Sequence, residues 1–243
     1  KPRKPFKSEL EFLNLETKKI EKFPSLLTDQ ATVSLSVIIP AFNEEFRLTK
    51  MLDNAVDVSD NTSNVFMKYG EKKNLKKEFK CLKLQSNRGK GGAVTQGMLV
   101  AGGKLLLFVD ADGASEFSDI ELLENALKKI SDDGFGIAIG SRAHMVNSEA
   151  VIKDTQCGFK LLTRKSGKKI FSKMNLEGWI FDIEILILAE KLNIPIKEVQ
   201  VNWKEVEGTK INLLKDSLKM LRDLIVLRLC YYFEIWSCVE DES

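Results

Sequence analysis

An apolar run that ends in two acidic residues, Leu105-Leu-Leu-Phe-Val-Asp-Ala-Asp112, constrains the fold of this chain more than any other segment. Five consecutive apolar residues are typical of a strand buried on both faces, as in a parallel sheet. Asp110 and Asp112 follow at the carboxyl end of that strand. Because an unpaired carboxylate is costly to bury, we expect both side chains to meet a cation or a ligand.

A second apolar run, Leu35–Pro40, predicts another strand that is buried on both faces. Strands and helices then alternate, which predicts an α/β fold: a doubly wound, mostly parallel sheet with flanking helices and ligands at the carboxyl ends of its strands. The further predicted strands are 81–84, 104–109 and 136–140, and the predicted helices begin at Asn43 and near Asp60 and span 87–101, 119–130 and 181–192.

Length and composition exclude several classes of protein. The 243 residues suffice for one large α/β domain, and the net charge of +2 argues against a general nucleic-acid binder. The single histidine, His144, excludes a His-rich zinc site. Four cysteines without a CxxC pair indicate reduced thiols in a cytosol-facing protein.

The chain divides into three predicted parts. Residues 1–30 begin with the basic segment KPRKPFK, which we interpret as a flexible arm or as the flank of a preceding membrane anchor. Residues 31–212 form the predicted catalytic domain, and residues 213–243 form an amphipathic helix. The apolar stripe of that helix either packs on the core or lies on anionic lipid beside its lysines and arginines. The stripe comprises Leu214, Leu218, Leu221, Ile225, Leu229, Tyr232 and Trp236.

The pair Asp110 and Asp112 predicts a divalent-cation site. Two hard oxygen donors suit Mg²⁺ or Mn²⁺, which usually keep waters and also bind substrate phosphates. The alternative interpretation is an Asp-rich turn in which the carboxylates only cap the loop.

Basic residues follow two other predicted elements. The segment Arg88-Gly-Lys90-Gly-Gly begins a helix, where backbone N–H groups and the two cations would attract phosphate, although it is not a P-loop. Arg142 follows a strand, and its guanidinium suits phosphate oxygens. A flexible basic turn and a surface ion pair are the respective alternatives.

Asp182 and Glu184 lie in the first turn of an apolar helix, three and five residues after Trp179. They are either dipole caps or part of a binding site for which Trp179 provides a flat face. Cys157 has no histidine partner better placed than His144, so we interpret it as a packed thiol rather than a nucleophile.

The stretch Val56–Asn61 is too short and too polar for the strand that should separate the first two helices, because parallel neighbours need a longer crossover. We therefore expect that residues of a longer polypeptide are missing here. Normal Cα spacing between Ala55 and Asn61 would refute this hypothesis.

Six motifs together resemble the dolichyl-phosphate β-glucosyltransferases, a group of the GT-A-fold, family-2 glycosyltransferases. They are SVIIPAFNEE, NRGKGGAVTQG, FVDADGASEFSD, GSRAH, DTQCGFKLL and GWIFDIEIL, between about Leu35 and Tyr231. The acidic pair alone marks the broad superfamily, whereas DADGA combined with GSRAH and DTQCGFK is far more specific.

The resemblance implies inverting transfer of glucose from UDP-glucose to dolichyl phosphate, for lipid-linked oligosaccharide assembly and protein N-glycosylation. It also implies a location at the endoplasmic reticulum membrane with the catalytic domain facing the cytosol. Asp110 and Asp112 would hold Mg²⁺ or Mn²⁺. The residues that the resemblance implies at the nucleotide sugar are Pro40, Ala41, Asn43, Glu44, Asp60, Arg88, Lys90, Asp110 and Ala111. The residues implied at the acceptor and the sugar are Arg142, Gln156, Trp179 and Asp182. The implied catalytic residues are Asp112, Asp182 and Arg142.

The chain departs from the family pattern at two places. Only Val58-Ser-Asp60 remains of an acidic motif that helps to hold the nucleoside. An Arg-containing, membrane-associated segment is missing near Lys153, before DTQCGFK. The first departure coincides with the short crossover, so we interpret both as missing residues rather than as a degenerate enzyme.

Other functions remain open at this point. One is another polyprenyl-phosphate hexosyltransferase, such as a dolichyl-phosphate mannose synthase that uses GDP-mannose. A second is a non-catalytic nucleotide-sugar-binding protein of the same fold, and a third is a nucleotidyltransferase.

Overall fold

The computed structural model describes residues 3–42, 44, 79–142, 154–204 and 213–236, and the elements below are numbered within these ranges. The strands are β1 (Glu11–Leu13), β2 (Ile20–Lys22), β3 (Val33–Ile38), β4 (Gly103–Val109), β5 (Ile137–Ser141), β6 (Phe159–Thr163) and β7 (Ile196–Gln200). The α-helices are α1 (Gly89–Leu99), α2 (Ile120–Ile130), α3 (Arg164–Phe171), α4 (Phe181–Lys191) and α5 (Leu213–Tyr232).

Five strands form the central sheet in the order β3-β4-β6-β5-β7. The pairs β3–β4 and β5–β7 are parallel, whereas β6 is antiparallel to both of its neighbours. The sheet is therefore mixed, and the sequence prediction missed β6, whose residues it had placed in the DTQCGFK motif. Because four strands point the same way, the ends of β3, β4, β5 and β7 and the beginning of β6 meet at one edge.

Helices cover both faces of β4, as the continuous apolar run predicts. Leu106 and Phe108 pack in the cluster on the side of α1, α3 and α4, while Leu107 and Val109 pack in the cluster on the side of α2. These four side chains are at most 2% exposed. The period of two along a strand sends successive side chains to opposite faces, so both layers need apolar residues.

The strand β3 is less buried than its sequence predicts. It lies at the edge of the described sheet, and Val33 and Val37 are 51% and 38% exposed. An edge position leaves part of an apolar strand uncovered, whatever its sequence. The helices predicted to begin at Asn43 and near Asp60 lie outside the described residues, as does the segment 55–61.

The predicted strand at 81–84 is wrong, since no strand is assigned to those residues. The flanking residues contact the N-terminal segment instead of the sheet. Gln85 donates its backbone N–H to Glu9, and the Lys80 ammonium lies 4.9 Å from the centre of the Phe12 ring. The other predicted elements are confirmed as α1, β4, α2, β5 and α4, with ends that differ by one to two residues.

Residues 3–30 form part of the packed domain rather than a flexible arm. Strands β1 and β2 pair as an antiparallel hairpin, and Leu26 is fully buried in the main core cluster. The Arg164 guanidinium donates hydrogen bonds to the backbone carbonyls of Ser25, Asp29 and Ala101. Side-chain bonds to these carbonyls tie the N-terminal segment to α3.

The C-terminal helix α5 packs with the face opposite to the predicted apolar stripe. Asp223, Leu227 and Tyr231 are buried, whereas the stripe residues Leu218 and Ile225 are exposed. Core packing of the stripe is therefore wrong for its described members, apart from the half-buried Trp236. Across the ranges described above, none of the helices combines the length and the hydropathy that crossing a membrane requires.

Candidate active site

Asp110 and Asp112 stand at the edge where the parallel strands end, directly after β4. The Asp110 backbone N–H donates to the carbonyl of Gly158 at 3.1 Å, which places the loop before β6 beside this aspartate. The Asp112 Oδ1 accepts the backbone N–H of Ala114 at 3.0 Å. Both side chains are partly exposed, so the two carboxylates border open space rather than dry core.

Gly158 lies directly against the Asp110 carboxylate. A Cβ built on Gly158 would lie 2.0 Å from Oδ2 of Asp110, far inside van der Waals contact. Only a residue without a side chain lets the Asp110 carboxylate occupy its position.

Lys90 brings a positive charge from the first turn of α1 to the same carboxylate. Its Nζ lies 2.8 Å from Oδ1 and 2.9 Å from Oδ2 of Asp110. Burial alone would lower the pKa of Lys90, but the charges of Asp110, Asp182 and Asp112 outweigh burial and raise it. Asp112 follows two residues after Asp110, so Lys90 and both carboxylates lie at the same edge of the sheet.

Glycines allow the start of α1 to approach its neighbours. Gly89 has a φ of +71°, and its N–H donates to Oδ1 of Asn87 at 2.8 Å. A Cβ on Gly91 would lie 2.5 Å from the Cβ of Phe181, so α1 touches α4 here by backbone. The close contact brings Lys90 within reach of Asp110.

The residues present fit a divalent cation. No group of three potential metal-ligating side chains occurs within the described ranges. Mg²⁺ is commonly held by one or two carboxylates, with waters and substrate phosphates completing its shell. The Lys90 ammonium on Asp110 shows that this position attracts a cation. A site made by Asp110 and Asp112 therefore suits a cation that shares its ligands with a bound diphosphate.

Arg88, which the sequence predicted near the nucleotide sugar, binds an acidic side chain of the loop before α4. Its guanidinium is buried and binds the Glu177 carboxylate, with Nε donating to Oε1 at 3.0 Å. Glu177 also accepts the backbone N–H of Gly92 through its carbonyl. Arg88 thus joins the start of α1 to the loop before α4.

Arg142 follows β5 and forms a bidentate ion pair with Asp154. Its Nε and Nη2 donate to the Asp154 carboxylate at 2.6 and 2.8 Å, and its guanidinium carbon lies 5.2 Å from the Trp203 ring centre. Burial alone would raise the pKa of Asp154, but hydrogen bonds from Arg142 outweigh burial and lower it. Asp154 therefore remains charged near neutral pH and orients the arginine.

An open cavity of about 410 Å³ lies at the carboxyl end of β7, and its lining includes Trp203, Asn202 and Glu116. Trp203 pairs with Ser115 in an isolated β-bridge. The cavity therefore adjoins the loop that follows Asp112. It opens at the same sheet edge as the acidic pair.

Asp182 is buried and bound to Lys160, which the sequence interpretation overlooked. Lys160 Nζ lies 2.5 Å from the Asp182 carboxylate and donates to the Cys157 carbonyl at 2.7 Å. Lys160 is fully buried and Asp182 is 2% exposed. A carboxylate so enclosed is placed to position its surroundings, not to contact a substrate, in contrast to the expected catalytic position.

Cys157 is a packed thiol, as the sequence indicates. Burial raises its pKa to about 11. The thiol is therefore protonated near neutral pH, and a protonated thiol is a poor nucleophile.

We predict that Asp182→Asn lowers the stability of the protein strongly. Removing one partner of a buried ion pair leaves an uncompensated charge, which costs about 3–5 kcal/mol. Urea unfolding measures the loss. The double variant Lys160→Met/Asp182→Leu should recover stability relative to Asp182→Asn, because it removes both charges. Equal stability of Asp182→Asn and the unchanged protein would contradict the ion-pair role.

Two of the remaining predicted residues lie at the same edge. Pro40 and Ala41 follow β3, and the register of Ile38 with Phe108 places Pro40 level with Asp110. The others described are Glu44, the buried Ala111, the exposed Gln156 two residues before Gly158, and the half-buried Trp179 before α4. Asn43, Asp60 and His144 lie outside the described residues, as does the segment around Lys153.

One of the two overlooked residues, Lys160, could have been found from the sequence. Lys160 interrupts the apolar run Phe159-Lys-Leu-Leu162, and a lysine in a buried strand requires an acidic partner. Trp203 carries no comparable signal, since only the fold brings it to Arg142.

The profile of the family described as glycosyl transferase family 2 matches residues 36–179. Curated relatives named dolichyl-phosphate beta-glucosyltransferase are similar over most of both chains. The relative from Drosophila melanogaster is 40% identical over 96% of this chain and 86% of its own length. The relative from Saccharomyces cerevisiae is 39% identical over 97% and 87%.

The relative from Dictyostelium discoideum is 38% identical over a matched span of 275 residues. This span exceeds the 243 residues of the whole chain. The relative therefore has residues within the span that lack a counterpart here.

Solved structures support the GT-A fold. Glucosyl-3-phosphoglycerate synthase from Mycobacterium tuberculosis superposes with a TM-score of 0.58 and 17% identity, over 81% of each chain. A structure of that enzyme with Mn²⁺, uridine diphosphate and phosphoglyceric acid gives a TM-score of 0.56 at 16% identity, over 83% of this chain and 81% of that one. Together with the mixed sheet and its flanking helices, the sequence matches show that this chain belongs to glycosyltransferase family 2, in the branch of the dolichyl-phosphate β-glucosyltransferases.

Proposed function

We propose that this chain transfers glucose from UDP-glucose to dolichyl phosphate with inversion, at the cytosolic face of the endoplasmic reticulum membrane. The names of relatives at 36–40% identity support the reaction class and the acceptor. The structural observation that carries the proposal is the cleft at the end of β4, where Lys90 binds Asp110 two residues before Asp112. Such a cleft, at the carboxyl ends of parallel strands, suits a nucleotide diphosphate.

The acceptor needs no strong general base. A phosphate monoester has a second pKa near 6, so at neutral pH its oxygen is already largely anionic. The enzyme must align that oxygen with the anomeric carbon of glucose and stabilise the departing diphosphate. The enclosed Asp182–Lys160 pair is compatible with this mechanism, because Lys160 neutralises the Asp182 carboxylate.

Each end of the donor has residues placed for it. We assign Pro40 and Ala41 to the nucleoside, because they follow β3 and Pro40 is level with Asp110. Lys90 lies beside the position of the diphosphate. Mg²⁺ or Mn²⁺ held by Asp110 and Asp112 would supply Lewis-acid neutralisation of the leaving diphosphate.

Arg142 is placed for the acceptor phosphate. The Asp154 carboxylate binds Nε and Nη2 of its guanidinium, which lies 5.2 Å from the ring centre of Trp203, a residue that lines the cavity. A guanidinium held by a carboxylate on one side loses little further freedom when it binds an anion on the other. Gln156 and Trp179 adjoin the same region as candidates for the glucose and the acceptor.

We predict that Lys90→Met weakens the binding of UDP about 10- to 100-fold, the usual loss for a hydrogen bond to a charged group. Isothermal titration with UDP in the presence of Mn²⁺ measures the effect. The matched control is Lys104→Met, since Lys104 is exposed at the opposite end of β4. If both variants bind UDP equally well, Lys90 serves only to pair with Asp110.

A transfer assay tests the proposed function directly. The full chain is incubated with Mn²⁺ or Mg²⁺ and dolichyl phosphate in detergent, with either UDP-glucose or GDP-mannose as donor. We expect glucosylated lipid from UDP-glucose and none from GDP-mannose. Preference for GDP-mannose would indicate a mannose synthase, and metal-dependent binding of UDP-glucose without transfer would indicate a binding protein.

A further inference from the structure

The helix α5 presents a continuous apolar surface to solvent. Leu218, Leu221, Ile225 and Leu229 are 69%, 56%, 51% and 47% exposed, and Tyr232 is 73% exposed. We call these five residues the outer stripe. Phe233 and Ile235 extend it beyond the end of the helix and are also exposed. Folded soluble domains seldom expose so many large apolar side chains in one patch, and such a patch usually marks an interaction surface.

Basic residues flank the outer stripe on both sides. At about 100° per residue, Lys215, Lys219 and Arg222 lie to one side of the stripe and Arg228 lies to the other. All four are exposed. The acidic residues of the helix, Asp216 and Asp223, lie on the opposite, inward half, where the Asp223 carboxylate also accepts a hydrogen bond from Nε of Arg222 at 2.9 Å. The exposed half of α5 therefore combines an apolar centre with cationic edges.

We propose that the outer stripe of α5 lies in the headgroup region of an anionic phospholipid bilayer. Apolar side chains at the centre would enter the acyl boundary while the flanking cations remain among lipid phosphates, the arrangement of interfacial helices. The charge pattern argues against a second copy of this chain as the partner that covers the outer stripe. Two identical stripes placed face to face would oppose cationic edges without acidic residues of the helix between them.

Contact of α5 with the bilayer would fix the position of the active site relative to the membrane surface. On its inner face, Asp223 lies against Gly178, where a Cβ would come within 2.9 Å of Oδ2. The preceding Glu177 accepts the backbone N–H of Gly92 at 3.1 Å, in the same turn of α1 that carries Lys90. The short segment Glu177-Gly178 thus connects α5 to the start of α1, where Lys90 lies. This step rests on the proposed function, because a polyprenyl phosphate presents its phosphate at the headgroup level.

Vesicle sedimentation tests the proposal with the full chain. The vesicles contain phosphatidylcholine alone or with about 30% phosphatidylserine, and no dolichyl phosphate. We expect the unchanged protein to sediment with the anionic vesicles. The variant Leu218→Ser/Ile225→Ser/Leu229→Ser should bind them at least about tenfold more weakly. The control Ile20→Ser/Val33→Ser/Leu122→Ser changes three comparably exposed apolar residues elsewhere and should bind like the unchanged protein.

A charge variant separates the two parts of the surface. Lys219→Gln/Arg228→Gln should lose the preference for phosphatidylserine and its dependence on salt, and it leaves the ion pair of Arg222 with Asp223 in place. Equal vesicle binding by the unchanged protein and the stripe variant would overturn the proposal. So would a dimer in light scattering that the stripe variant abolishes, since a second copy would then cover the stripe.

The outcome is independent of the transfer assay. Vesicle binding that depends on the stripe, in a protein that transfers no glucose, would leave the surface assignment intact and refute the proposed function. Transfer of glucose in detergent by the stripe variant, with weakened vesicle binding, would support both.

Discussion

Replacing Asp112 by alanine is expected to lower glucose transfer by a factor on the order of 10³ or more, the loss typical when a preorganised charge is removed from a reacting centre. Under the proposed function, Asp112 is one of the two carboxylates that would hold the cation that neutralises the leaving diphosphate. Its carboxylate is partly exposed in the cleft that Lys90 shares. Excess chelator should abolish transfer in the unchanged protein, and added Mn²⁺ should restore it. Full activity in chelator would contradict the metal assignment.

Asp112→Asn separates the chemical role from a structural one. Oδ1 of Asp112 accepts the Ala114 N–H, and an asparagine oxygen can accept the same bond. The turn therefore persists in Asp112→Asn, while the negative charge is lost. We expect transfer to fall nearly as far as in Asp112→Ala, with an unchanged melting temperature. The control Asp132→Asn alters an exposed aspartate in the loop after α2 and should leave transfer unchanged. Full transfer by Asp112→Asn would show that Asp112 only caps its turn.

Gly158→Ala is expected to reduce transfer at least about 10²-fold, although residue 158 carries no chemistry of its own. The new methyl group would occupy the position of the Asp110 carboxylate, because a Cβ on residue 158 would lie 2.0 Å from Oδ2 of Asp110. Asp110 must then turn away from Lys90 and from the cation. A displacement of about 1 Å at a reacting centre costs on the order of 10²-fold in rate.

Gly140→Ala serves as the matched control for this substitution. Gly140 lies in the neighbouring strand β5, and its nearest contact to an added Cβ is 3.1 Å, so small shifts can accommodate the methyl group. Transfer rates, melting temperatures and Mn²⁺ affinity are compared for both variants. Gly158→Ala should lose Mn²⁺ affinity together with transfer, and normal Mn²⁺ binding in that variant would refute the crowding of Asp110.

The local pattern was sufficient to predict β4 and the position of Asp110 and Asp112. A run of apolar residues must be covered on both faces, and the acidic residues after it must lie at the strand's end. The same reasoning predicted α1, α2, β5 and α4, because the spacing of apolar residues sets which face of an element is buried. The six motifs also led to the family that the sequence matches confirm.

The antiparallel strand β6 could not be predicted in the same way. Its residues Phe159–Thr163 are apolar apart from Lys160 and the terminal threonine. The local sequence does not determine which strands these residues pair with. Only its insertion between β4 and β5 places Gly158 beneath Asp110 and buries Lys160 against Asp182. These contacts join residues that are far apart along the chain.

Sequence alone determined the sign and place of the charges at the strand ends, since covalent order and strand period fix them. Tertiary structure decided which charge each one meets. It pairs Arg88 with Glu177, Arg142 with Asp154 and Asp182 with Lys160, and it turns the apolar stripe of α5 outward. The physical reason is that an ion pair or a buried face depends on distance in space, and packing of the whole chain sets that distance.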